Sequence, residues 1–178
     1  MRVKRRFFEE NIGLIVEVSY VIAERLKNGN KLILFGNGGS ASDASHIAAE
    51  FVNRYRMERG ALGAIALNTD MSVITSIAND YDYANIFSRQ IEALAKKGDV
   101  AIGISTSGSS LNVLKAVETA KEKELITIAF TSERGELLSK KVDYAFKIPS
   151  KETPRIQETH ITLAHILCQN VEELLFKK

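Results

Sequence analysis

The chain of 178 residues has one cysteine, two prolines, no tryptophan and almost no excess of charge. With Cys168 alone, an intrachain disulfide and a zinc site built from several cysteines are excluded, and a reducing compartment fits. Pro149 and Pro154 lie close together, so no proline-rich linker divides the sequence. Lys and Arg number 24 against 22 Asp and Glu, a net charge of +2, and no dense basic block follows Arg6. A chain held mainly by nucleic-acid phosphates carries a larger basic excess. No window approaches the roughly 18 apolar residues of a membrane span. Arg2, Lys4, Arg5 and Arg6 before Phe7-Phe8 imitate a secretory leader, but Glu9, Glu10, Glu17 and Glu24 break up the apolar stretch such a leader needs. These absences lead to the expectation of a cytoplasmic protein that engages neither membrane nor nucleic acid.

What is present is ordinary globular usage, 45% hydrophobic and 26% charged. The length suits one α/β domain over residues 1–178, able to bury roughly 70% of its unfolded surface. Ile12, Ile15, Val16, Ile22, Ala23 and Leu26 recur at helical spacing, predicting a helix over 7–27 that stops near Asn28-Gly29-Asn30. Strands are expected at 31–35, 63–67, 100–104, 125–130 and 144–148. Helices are expected at 41–55, 71–78, 85–96, 111–123 and 153–176. Strands and helices alternating over short connections call for a parallel sheet covered on both faces.

Ligands of open α/β sheets bind beyond the carboxyl ends of the strands. Two loops stand at such places. In Gly36-Asn37-Gly38-Gly39-Ser40, three of five residues lack a Cβ, so backbone can approach a ligand closely. The loop has neither the dinucleotide G-x-G-x-x-G spacing nor the Gly-Lys-Ser/Thr ending of a Walker A loop, so nucleotide binding is not supported; a tight strand-to-helix turn is the alternative to a ligand-binding loop. In the second loop, Ser105, Thr106, Ser107, Ser109 and Ser110 surround Gly108 just before a helix. Free N–H groups at a helix start favour an anion, and clustered hydroxyls add donors, which suits a phosphate monoester. Ordinary N-capping explains one or two of these hydroxyls but not five.

All three histidines fall on two expected helices. His46 and Glu50, four residues apart, share a face and suit either a metal or a base with its partner. On the last helix, Gln157 and His165 lie about 80° apart and can converge, whereas His160 lies about 60° away on the other side of Gln157 and is expected to be structural or near an interface.

Together these residues resemble the sugar isomerase (SIS) family of phosphosugar-binding domains, and within it the sedoheptulose 7-phosphate isomerases. The carriers are the glycine loop with Asp43, His46 and Glu50; Asn79-Asp80; the serine loop; and Arg155-Ile156-Gln157-Glu158 with His160 and His165. The resemblance implies a flavodoxin-like, doubly wound five-stranded parallel sheet with an additional N-terminal helix. It also implies a homotetramer with active sites at subunit interfaces. The implied reaction turns sedoheptulose 7-phosphate into D-glycero-D-manno-heptose 7-phosphate, the first step toward activated heptoses for lipopolysaccharide or other surface glycans. By residue matching, His46, Glu50, Gln157 and His165 would bind Zn2+. Asn37, Gly38, Gly39, Glu50, Asn79, Asp80, Ser105, Thr106, Ser107, Ser110 and Gln157 would hold the phosphorylated ketose. Pro154 stands where some relatives have aspartate.

Moving a carbonyl between C1 and C2 requires a group that takes a proton from one carbon and returns it to the next, and a second that shuttles hydroxyl protons. Glu50 is assigned the first task and His165 the second; a metal would polarise the carbonyl. The competing readings are a non-catalytic SIS module that binds a phosphosugar or a replication initiator, and an isomerase of another ketose phosphate. The complete His/Glu/Gln/His set argues for a catalyst; it separates heptose from pentose less well.

Overall fold

Short runs of Ile, Leu, Val, Phe and Ala form the strands of the computed structural model, which describes residues 2–177. They are β1 (Leu32–Gly36), β2 (Ala64–Ala66), β3 (Val100–Ile104), β4 (Ile126–Ser132) and β5 (Tyr144–Ile148). Every residue of β1 and β3 is buried. Such unbroken apolar strands belong to a parallel sheet with both faces covered, and all four strand pairs are parallel, in the order β2-β1-β3-β4-β5.

Alternate side chains feed two separate cores. Leu32, Leu34, Ile102, Ile104 and Phe130 pack toward α1 (Arg2–Lys27), α2 (Gly39–Val52) and α7 (Thr153–Phe176). Ile33, Phe35, Ala101 and Ala129 pack on the opposite face. That face carries α3 (Met71–Asp80), α4 (Ser88–Leu94), α5 (Leu111–Glu122) and the short α6 (Glu136–Ser139). This is the doubly wound, flavodoxin-like arrangement expected from the sequence, with the additional helix α1 lying along α7. Its strand order reverses between β1 and β3, and the crevice at such a switch point is where a ligand finds room.

Several boundaries differ for local reasons. Helix α1 already runs from Arg2, supported by Arg5–Glu9 and Arg6–Glu10 pairs and by a fully buried Phe7. The stretch expected as one helix over 85–96 is a 3₁₀ turn, Tyr83–Asn85, followed by α4. Asp82 accepts from Ala84 N and so starts the turn, while Asp99 takes Lys96 N beyond the end of α4. Strand β4 continues to Ser132 because Thr131 and Ser132 still pair with Lys147 and Ile148 of β5. Helix α2 starts at Gly39 and ends at Val52, three residues before its expected end.

Candidate active site

The first loop turns at Asn37 and Gly38. Gly38 has φ +56, which suits glycine. A Cβ on Gly39 would strike the Gln157 amide nitrogen, so α2 and α7 approach closely at this point. Asn37 Nδ2 donates to Asn112 Oδ1 and Asn112 Nδ2 donates back to Asn37 Oδ1, each at 2.9 Å. The Tyr83 hydroxyl donates to Asn37 Oδ1 at 3.1 Å. This amide pair ties the loop after β1 to the start of α5, across the switch point.

The second loop is held from within and from below. Ser105 Oγ lies 3.1 Å from Ser110 Oγ and accepts from Gly108 N at 3.1 Å. Ser107 Oγ accepts from the Ser109 hydroxyl at 3.1 Å. Ser110 stands at the N-cap of α5 yet makes no side-chain cap bond, so plain capping does not account for it. Beneath, the Ser132 hydroxyl donates to Thr106 O at 2.7 Å. Gly108, at φ +64, presses on Gly135, which itself leaves no room for a Cβ beside Thr131.

On the other face, His46, Glu50 and His165 converge, their ligand atoms all within 4.8 Å of one another. His46 Nε2 is 3.1 Å from Glu50 Oε1, and the two imidazole rings meet edge to face at 5.2 Å. Two imidazoles and a carboxylate in reach of one point are a fitting donor set for a divalent ion such as zinc. One turn before His46, burial pushes the Asp43 carboxyl above its ordinary range, His46 partly opposing it. Burial also pushes the Cys168 thiol up to about 12.

Residues 1–132 match the family described as the SIS domain. The chain belongs to the SIS domain family. It is 65% identical over 177 residues to the phosphoheptose isomerase of Thermodesulfovibrio yellowstonii, covering 99% of this chain and 88% of that one. It superposes on the phosphoheptose isomerase of Neisseria gonorrhoeae with a TM-score of 0.91 at 38% identity, over 97% of this chain and 92% of that one. For the Francisella tularensis phosphoheptose isomerase the values are 0.93, 34%, 97% and 92%.

Not every expected residue of the SIS site sits in these clusters. Gln157 lies against Gly39, near the first loop, whereas His46, Glu50 and His165 gather farther along the same two helices. Asn79 and Asp80 end α3, exposed and hydrogen-bonded to each other at 2.8 Å. His160 is structural, as its helical angle suggested. It is 1% exposed, its Nε2 donates to Thr131 O at 3.0 Å, and burial lowers its pKa to about 4. The sequence reading missed Asn112, Tyr83 and Tyr55, whose ring stacks on His165 at 5.5 Å. Asn112 and Tyr83 carried no sequence signal. Tyr55 lies one residue beyond Arg54 in a segment read as the end of a helix.

Proposed function

We propose that this SIS protein is a phosphoheptose isomerase, converting sedoheptulose 7-phosphate into D-glycero-D-manno-heptose 7-phosphate for activated-heptose and surface-glycan synthesis. The convergence of His46, Glu50 and His165 carries the reading, because a binding module needs no such group. The relatives named phosphoheptose isomerase support the choice of substrate.

In this reading the serine loop, with Ser105, Thr106, Ser107 and Ser110, anchors the phosphate through hydroxyls and the free N–H groups opening α5. Asn37, Gly38, Gly39, Asn79, Asp80 and Gln157 hold the sugar. Glu50 takes the proton from C1 of the ketose, and the C2 carbonyl oxygen receives a proton from His165 as the enediol forms. Glu50 then delivers its proton to C2, while His165 takes the O1 proton, leaving an aldehyde at C1. One Zn2+ per subunit would be held by His46, Glu50 and His165, the groups that converge; Gln157, the fourth donor expected from the sequence, lies against Gly39 on the same pair of helices. When bound, the ion would polarise the carbonyl and steady the negative charge of the enediolate.

A homotetramer with sites at its subunit interfaces belongs to the same proposal. Its support is an exposed stripe on α1, where Ile12, Val16 and Tyr20 are 62%, 45% and 59% accessible, beside Leu174 and Phe176 of α7. So does a single domain over 1–178, since α7 beyond the matched residues completes the α1 and α2 face. A cytoplasmic location is in keeping with the absence, among the described residues, of any helix long and apolar enough to cross a membrane.

The deciding experiment is an isomerase assay over a panel of ketose phosphates, with chelation, zinc add-back and a Glu50→Gln variant. We expect the heptulose phosphate to be preferred, activity to fall and return with zinc, and Glu50→Gln to lose about 10²–10⁴-fold in turnover while still binding substrate. No turnover of any ketose phosphate with zinc present would establish the binding module instead.

A further inference from the structure

The end of α2 is closed by an unusual device. An α-helix leaves its last carbonyls without partners. Here the Arg59 guanidinium reaches back to them, Nη2 donating to Glu50 O at 2.8 Å and Nη1 to Phe51 O at 2.9 Å. Its Nε donates to Glu172 Oε1 at 3.1 Å. The Glu172 carboxylate also accepts Tyr55 N, Arg56 N and Met57 N at 3.1, 2.8 and 3.0 Å. Burial pushes its pKa upward, but the three N–H groups and the guanidinium outweigh this and hold it below the ordinary range. Both side chains are buried, 2% and 1% accessible.

A fully buried ion pair is a poor means of gaining stability, since desolvation offsets its attraction. What it does supply is geometry. Residues 53–60 are wound around this one pair, and both ends of the winding touch the catalytic cluster. At one end Arg59 holds the carbonyl of Glu50 itself. At the other, Glu172 accepts Tyr55 N, and the Tyr55 ring stacks on His165 with planes inclined by 23°. Glu172 and His165 stand seven residues apart on α7, on nearly the same face.

We propose that Arg59 and Glu172 are positioning residues for the His46–Glu50–His165 cluster, acting through the segment 53–60 and the Tyr55 ring. The pair fixes the backbone of the base and the orientation of the imidazole without touching substrate. The inference deepens the isomerase reading and rests on it for its kinetic consequence. The geometric consequence is readable in the unreacted protein.

The chain has only three histidines, so three pairs of imidazole nitrogen signals appear in nitrogen-15 spectra of histidine-labelled protein. Tyr55→Ala, which leaves the ion pair intact, should shift the His165 ring signals, spare those of buried His160, and lower kcat about 10- to 100-fold. KM for sedoheptulose 7-phosphate should stay within about twofold, because the phosphate anchor is elsewhere. Tyr55→Phe should restore both signal and kcat, showing that the ring does the positioning. Glu172→Gln and Arg59→Lys should reproduce Tyr55→Ala where His160 reports a folded protein. Unmoved His165 signals with wild-type kcat in Tyr55→Ala would overturn the proposal, as would a folded Glu172→Gln with unmoved His165 signals. If the wild type turns over no sugar, the isomerase reading falls and the His165 signals alone decide the positioning role; should Glu172→Gln fail to fold, Tyr55→Ala decides.

Discussion

Two histidines on α7, five residues apart, show how place determines what one side chain does. His165 is half-buried at the mouth of the cluster, beside His46 and under Tyr55. His160 is sealed against Phe130, donating to a β4 carbonyl that can only accept. Its Nδ1 is therefore the unprotonated nitrogen, and protonating it would place a charge in the core. The folded pKa near 4 lies below the ordinary 6.5, so the unfolded chain binds the extra proton first. Stability contributed by neutral His160 is complete above pH 6.5 and is lost as pH falls toward 4, by roughly 3 kcal/mol. Urea titrations across that window should show this slope in the wild type and its loss in His160→Gln. An equal slope in the variant would assign the acid sensitivity to carboxylates instead.

Among the elements, the serine loop depends on neighbours outside its own stretch of sequence. Its floor is Gly135, where any Cβ would collide with the side chain of Thr131, and Gly108 rests on the Gly135 backbone. Gly135 itself has φ −85, so alanine there is strained by crowding and not by backbone conformation. Gly135→Ala should cost about 1–3 kcal/mol of stability through overpacking. Displacing the loop above it should also weaken inorganic phosphate binding, measured by calorimetry, while the His165 signals stay put. Unchanged phosphate affinity would detach the floor from the loop.

This dependence also explains which parts were legible in the sequence. Strands β3 and β5 and helix α7 begin and end where hydrophobic periodicity, Gly98-Asp99, Pro149 and Pro154 place them, because those signals are local. His46 and Glu50 were legible for the same reason, four residues being one turn. The early end of α2 was not. The group that takes its carbonyls is Arg59, and the partner that holds Arg59 is 113 residues further on. Asn112 was hidden similarly, its amide partner being 75 residues away. Helix α6, only four residues long, offers too little sequence for any period to register.

For the whole molecule, the stripe of Ile12, Val16 and Tyr20 on α1 is the feature a solitary chain would least tolerate. Replacing Val16 and Tyr20 together with glutamate should convert the proposed tetramer into smaller species in sedimentation equilibrium. Activity should fall in parallel if the sites need neighbouring subunits. A wild-type monomer would remove the interface from this face.

The partition of the apolar interior by the sheet has a consequence for how this molecule can fail. The loop proposed to anchor phosphate leads into α5, which rests on Val113, Ala116 and Val117; the groups proposed to move protons ride on α2 and α7, which rest on Ile47, Leu163 and Leu167. Each half of the chemistry thus has its own foundation, with β1 and β3 as a party wall between them. Damage should stay in the room where it occurs. A void made by Val117→Ala is expected to raise KM with kcat little changed, and one made by Leu163→Ala to lower kcat with KM little changed. Drift in the sequence could therefore relax grip and chemistry independently, one face at a time.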